Sequence, residues 1–242
     1  MNEVLSAFGR ALRSLSRPAM LWHLIWPTLA AIAIWAVLAW FFWDDASKAL
    51  LAAFQQWTWL HKLMDSTQFL SVAALATVHV FLALLFVPLV YATALMMVAL
   101  VALPLMLERV GDAEYRDMEK RKGGTVAGSV GNALLALAIY LAGLLATLPL
   151  WLIPGMGLVL PVLLSAYLNQ RAYRYDALMQ HADAVEMRDV ISRQRGGLWL
   201  VGILSGLLAY VPVVNLLVPA YSGLTFVHYC LTALRRRRGE KP

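Results

Sequence analysis

The chain has 242 residues, 61% of them apolar and 14% charged, with a mean hydropathy of +0.68 and a formal net charge of +6. This composition excludes a large soluble domain and places the chain among integral membrane proteins. The single Cys230 excludes an intrachain disulfide and any cysteine-built metal site.

Residues 1–17 set Val4, Leu5, Phe8, Leu12 and Leu15 at helical spacing, with Arg10 and Arg13 away from them. That pattern predicts a helix in the membrane interface, an anchor with no protein partner. Residues 18–43 follow as a charge-free run of 26. A helix needs about 20 apolar residues to cross a bilayer, so this run is one span. It is too long for a cleaved signal, and no small-x-small site follows it.

Residues 44–65 are expected outside, as an amphipathic segment with Leu50, Phe54, Trp57 and Leu60 on one face. Trp57 and Trp59 suit the headgroup zone. The next charge-free window, 66–107, would be about 63 Å long as one helix. Within residues 66–122, this second span must therefore kink at Pro88 or Pro104, or project into the cytoplasm. Beyond Pro104, Glu108 and Arg109 enter water or a polar centre between subunits.

Two more charge-free windows, 123–170 and 196–234, exceed one span each. They share a motif. The segments Pro154-Gly155-Met156-Gly157-Leu158-Val159-Leu160-Pro161 and Pro212-Val213-Val214-Asn215-Leu216-Leu217-Val218-Pro219 both fit P-x-x-[G/N]-x-x-x-P. Gly157 and Asn215 occupy equivalent places and tolerate a left-handed backbone best, a role that Gly155 could share. Pro161 and Pro219 could open the returning helices, where a missing N–H costs little. Both motifs read as the tips of helical hairpins. From Pro161 to Arg171 only nine residues intervene, about 14 Å of helix, half of the roughly 30 Å hydrocarbon core. The hairpins are therefore expected to penetrate halfway, with their tips buried against protein. Two full hairpins, six spans in all, is the alternative.

Between the hairpins, residues 171–195 form a connector in which Asp183-Ala184-Val185-Glu186 predicts a capping box and a short helix through Ile191. The tail, 235–242, opens with Arg235 to Arg238, a stop-transfer and anionic-lipid anchor that requires no nucleic acid. Lys and Arg also set the orientation. With both termini and the connector cytoplasmic, the external segment holds only Lys48 and Lys62 of the 20 basic residues.

The runs "IPGMGLVLPVL…AY", "VPVVNLLVPAYSGL" and "ALVALPLMLERV", with the opening "FGRALRSLSRP", resemble the CysZ-type sulfate permeases of the etoposide-induced membrane protein family. The resemblance covers essentially the whole chain. It implies an all-helical bacterial inner-membrane protein with two long spans and two hemi-penetrating hairpins. It also implies homo-oligomers and, in one branch, sulfate passage. In that branch a Gly-apolar-Arg motif opens the first long helix and is implicated in sulfate binding. Here Ala19, Met20 and Leu21 stand in its place, preceded by Arg17 and Pro18, and the family's Tyr-x-Asp-Tyr-Pro is altered to "YRYDAL".

No nucleophile–base pair, phosphate-binding glycine loop or zinc motif occurs, so no catalytic residue, cofactor or metal is expected. "GILSG", Gly202 to Gly206, misses the intramembrane serine protease motif by one residue and reads as a close helix contact. His23, His79 and His228 lie in charge-free windows and read as neutral imidazoles bonded to their neighbours. Arg17, before the N-terminus of the first long helix, and Arg109 are the candidate anion-binding residues. The competing role for Arg17 is a positive-inside anchor, and for Arg109 an ion pair with Glu108. Membrane lipids and sulfate or another oxyanion are the expected partners. A non-transporting membrane scaffold or lipid-interacting protein is the alternative function.

Overall fold

A computed structural model describes residues 1–56, 68–211 and 214–240, and the regular structure among them is helical throughout. Trp57, Trp59, Leu60 and Pro212 lie outside the described residues. The helices are α1 (Asn2–Leu15), α2 (Pro18–Gln55), α3 (Gln68–Met97), α4 (Leu103–Glu114), α5 (Val126–Thr147), α6 (Met156–Leu178), α7 (Ala184–Arg193), α8 (Arg195–Leu208) and α9 (Val218–Arg237). Among the described residues three stretches are long and apolar enough to cross a membrane: Pro18–Ala53, Ala76–Glu114 and Val126–Leu152. Two were expected, and the third corrects the first hairpin, whose leading arm is long enough to cross rather than to penetrate halfway. The chain divides into two compact units, Met1–Leu24 with Ala99–Pro242, and Ile25–Val98.

The larger unit is organised around α9, which packs against α1, α4, α6 and α8. From Val218 to Leu234 nearly every α9 side chain is buried, because small residues let four neighbours approach together. A Cβ on Gly223 would lie 2.7 Å from the Leu103 side chain. Lipid is as apolar as leucine, so helix association inside a membrane depends on such close approach rather than on expelling water. The same device joins α6 to α8, where a Cβ on Gly202 would come within 2.7 Å of the Ala166 carbonyl oxygen. The close contact expected for Gly202 is thus made, and α6 is its partner.

Helix α1 corrects one expectation. It has a protein partner, and the face it presents to that partner is Val4, Ala7, Ala11, Ser14 and Leu15. Leu5 and Leu12 point away and are 61% and 56% exposed. The apolar residues are split between two faces, because the alanines permit an approach to α9 that the leucines would prevent. Phe8 links both sides, its carbonyl accepting from the Tyr221 hydroxyl at 3.1 Å.

Near α4 the backbone departs from a regular helix. Pro88 sits inside an unbroken α3, whereas Val98–Ala102 form a wide π-type turn just before Pro104. Proline supplies no N–H and crowds the carbonyl four residues back, and a widened turn relieves both. Of the two expected break points, Pro104 is the one used. The connector is tied down farther on. Residues 121–124 donate backbone hydrogen bonds to 179–182, and a Cβ on Gly123 would come within 2.5 Å of the Ala182 carbonyl oxygen. Asp183 accepts from the Val185 and Glu186 amides while Glu186 accepts from Asp183, completing the expected capping box. The helix it opens continues two residues past Ile191.

In the smaller unit α2 and α3 pair through aromatic side chains. The Trp35 indole donates to Thr93 Oγ1 at 2.9 Å, and the Trp43 ring stacks on His79 with centroids 5.9 Å apart. Trp40 and Phe41 are largely exposed. Lipid-facing side chains of a spanning helix are uncovered in just this way. The first span was expected to end at residue 43 and an external segment to begin at 44. Instead α2 runs on through Asp44 and Asp45 to Gln55, since no proline or glycine interrupts its hydrogen bonding there.

Candidate functional site

Beneath α1, side chains distant in sequence form one donor chain. The Tyr115 hydroxyl lies 3.0 Å from His228 Nδ1, and His228 Nε2 lies 3.0 Å from Ser14 Oγ. Ser14 donates to Glu114 Oε1 at 2.8 Å, and Arg17 Nη2 reaches that same oxygen at 2.9 Å. The order is self-consistent when the proton sits on His228 Nε2, because Ser14 has already given its own proton to the carboxylate. His228 is fully buried with both ring nitrogens occupied, which is the neutral, neighbour-bonded imidazole expected. His23 bonds the Ala19 carbonyl. Among the described residues no group of His, Cys, Asp and Glu could hold a metal ion.

This arrangement changes the reading of Arg17. The residue precedes the α2 N-terminus as expected, but its guanidinium is paired with Glu114. Pro18 has no N–H, and Met20 and Leu21 give theirs to the Arg17 carbonyl. Few free donors remain there for an anion.

Glu108 is not a core residue within the chain. The buried side of α4 is Leu103, Met106, Leu107, Val110 and Gly111, which places Glu114 beside α1 and α9 and turns Glu108 outward. Arg109 is exposed beside it. Adjacent helical residues point in different directions, so a Glu108–Arg109 pair is disfavoured by geometry, and none forms. Among the described residues Arg109 has no ion-pair partner.

The hairpin tips also differ in detail. The left-handed residue is Gly155, with φ 86°, and it is the N-cap of α6. Gly157 is helical and exposed, and a Cβ there would meet nothing within 4 Å. Pro154 is exposed. Pro161 lies inside α6, which therefore opens five residues earlier than expected. In the second hairpin Asn215 lies in a short 3-10 turn, Val214–Leu216, exposed and without a positive φ. Pro219 stands in the first turn of α9, as its missing N–H suggested. The two motifs share a sequence frame, but their described residues differ: the first turns through a left-handed Gly155, and in the second Val214–Leu216 form a 3-10 turn.

The four arginines that open the tail are neutralised by the protein itself. Arg235 pairs with Asp117, Arg236 with Glu3, Arg237 with Asp189 and Glu186, and Arg238 with Glu186 at 2.8 Å. Glu186, also held by Arg121 at 2.9 Å, is buried. The hydrogen bond from Arg238 holds its carboxyl below the usual range against the opposing effect of burial. Arg237 and Arg238 clamp the connector to the end of α9, Arg236 ties α1 to it and Arg235 holds Asp117, which leaves the four poorly placed as a lipid anchor. Among the described residues Arg171 and Arg174, both partly buried, lack such partners. Arg171 binds Asn132 Oδ1 at 3.1 Å and the Tyr167 hydroxyl at 2.7 Å, and Arg174 binds Gln170 Oε1 at 2.9 Å.

Three apolar stretches of spanning length, with polar groups gathered where the helices end, define an α-helical membrane protein. The chain belongs to the family described as Sulfate transporter CysZ/Etoposide-induced protein 2.4, whose profile matches residues 7–219. Comparison with curated proteins returned no match.

Proposed function

We propose that this protein passes sulfate or a related oxyanion across the bacterial cytoplasmic membrane as a homo-oligomer, with both termini and the connector cytoplasmic. The observation that supports this most is Arg109. Among the described residues its guanidinium has no ion-pair partner, and it lies near the end of the apolar stretch Ala76–Glu114, on the side of α4 that those residues leave uncovered. A second copy meeting that side would gather such arginines around a shared polar centre, where they replace part of an anion's hydration. The family's name supplies sulfate as the first substrate to test.

In this reading both hairpins enter and leave through the cytoplasmic face. The second stops short of crossing. At the helical rise per residue its descending helix is about 21 Å long, and the apolar part of α9 is about 25 Å, against roughly 30 Å of hydrocarbon. The descending helix is Arg195–Leu208, and α9 meets its first tail arginine at Arg235. The first hairpin reaches deeper, since α5 alone is about 33 Å long by the same rise. Exposed tips at membrane depth leave backbone groups that lipid cannot satisfy, which favours coverage by a neighbouring subunit.

A second reading, a scaffold that moves no solute, is favoured by the Arg17–Glu114 pair and the missing Gly-apolar-Arg motif. Sulfate uptake into vesicles holding the purified protein separates the two. Uptake lost in Arg109→Gln with the oligomer retained supports passage. No uptake by the unsubstituted protein replaces it with the scaffold.

A further inference from the structure

We propose that Arg171 and Arg174, assisted by Arg195, bind one tetrahedral oxyanion, a phospholipid phosphate or a free sulfate or phosphate, where the first hairpin enters the membrane. Arg171 and Arg174 lie three residues apart on α6 and share a face with Tyr167 and Gln170. Both are partly buried in a helix packed by α5, α8 and α9. Every side-chain acceptor they use is neutral: an amide oxygen of Asn132, the Tyr167 hydroxyl and an amide oxygen of Gln170. Arg195, the exposed first residue of α8, is a third cation on the helix packed against α6.

Nothing in the protein balances this charge among the described residues. The nearest carboxylate along α6, Asp176, is turned to the Ser129 hydroxyl of α5. The tail behaves differently, since Arg235 to Arg238 each meet a carboxylate. Partly desolvated like charges repel, and an anion between them removes both the repulsion and the unmet hydration. The donors suit a tetrahedral oxyanion. Each guanidinium offers five N–H groups. Arg171 gives two of them to protein side chains and Arg174 one. Gln170 and Asn132 hold the two planes in place, and Gln170 is only 4% exposed.

The depth favours phosphate chemistry as well. By the helical rise, Arg171 lies about 22 Å along α6 from Met156, and its partner Asn132 is about 9 Å into α5. That is close to the headgroup layer on the side from which the hairpin enters.

The test uses the full-length protein. In phosphatidylcholine nanodiscs it is titrated with sodium sulfate and with sodium phosphate. In discs that include phosphatidylglycerol it is examined by native mass spectrometry for retained lipid. The expected result is saturable binding in at least one arm, weakened about tenfold by Arg174→Gln and less by Arg174→Lys, which keeps the charge but not the planar fork. Arg195→Gln, at an exposed position, is expected to weaken binding about threefold and serves if Arg174→Gln does not fold. Retention of phosphatidylglycerol alone assigns the site to a lipid phosphate, and sulfate or phosphate binding alone assigns it to a free anion. The proposal is overturned if the unsubstituted protein binds none of the probes, or if the folded variants bind as it does. Flux plays no part in this readout, so failure of sulfate uptake leaves it standing.

Discussion

Arg17 and Glu114 meet at 2.9 Å, joining the start of α2 to the end of α4. Their side chains are 45% and 24% exposed. Solvent therefore screens the pair, and its coupling is expected to be about 0.5 kcal/mol. A double-mutant cycle with Arg17→Gln and Glu114→Gln, followed by thermal unfolding in detergent, measures it. If Arg17 also serves an anion, Glu114→Gln raises sulfate affinity by freeing the guanidinium. An unchanged affinity assigns Arg17 to structure alone.

The hairpin tip predicts a sharp contrast between neighbouring glycines. Gly155 alone of the two has a positive φ. Gly155→Ala forces a side chain into the left-handed region and is expected to cost about 1 kcal/mol. Gly157→Ala, in an exposed helical turn with open space, is expected to be neutral or slightly stabilising. Equal destabilisation of both variants in the purified oligomer would instead place a neighbouring subunit against Gly157.

The connector should loosen on acidification in two stages. Burial keeps His181 neutral below its ordinary value of 6.5, so the unfolded chain takes up that proton first and stability declines as pH falls below 6.5. Asp183, Glu186 and Asp189 have folded values below their ordinary ones, through hydrogen bonds to backbone amides or arginines. Their contribution is complete above about 4.5 and is lost as pH falls through the depressed range. Arg238 and Glu186 are both buried where they meet. Glu186→Gln should destabilise by about 3 kcal/mol at neutral pH, because Arg238 then keeps a buried charge without its partner. It should also flatten the lower stage. Unfolding followed from pH 8 to pH 3 checks both.

Orientation can be read by single-cysteine labelling with an impermeant thiol reagent. Cys230 is completely buried, so Cys230→Ala is a better background than serine, which would bury a hydroxyl. Cysteines at Arg188 and Glu240 are expected to react only from the cytoplasmic side, and one at Asp44 only from outside. Labelling of position 188 from outside would reverse the proposed topology.

Local periodicity and the cost of burying charge governed what could be read from the residues alone. The charge-free windows marked the apolar stretches, though not that Val126–Leu152 is long enough to cross a membrane, the capping box opened α7, and the paired proline motifs marked two hairpins, because each of these depends on neighbours along the chain. Family membership followed from the same motifs. Packing between distant segments settled the rest. On α4, Glu114 rather than Glu108 became the carboxylate turned toward the protein, because α9 fixed which face of that helix is covered. The four tail arginines found carboxylates on other elements, while Arg171 and Arg174 found only neutral acceptors. Composition counts these side chains alike, since an arginine's surroundings are set by helices that meet across long separations in the chain. Even the hairpin tip divided this way. The motif announced a turn, and only the backbone path showed that Gly155, not Gly157, takes the left-handed step from which α6 begins.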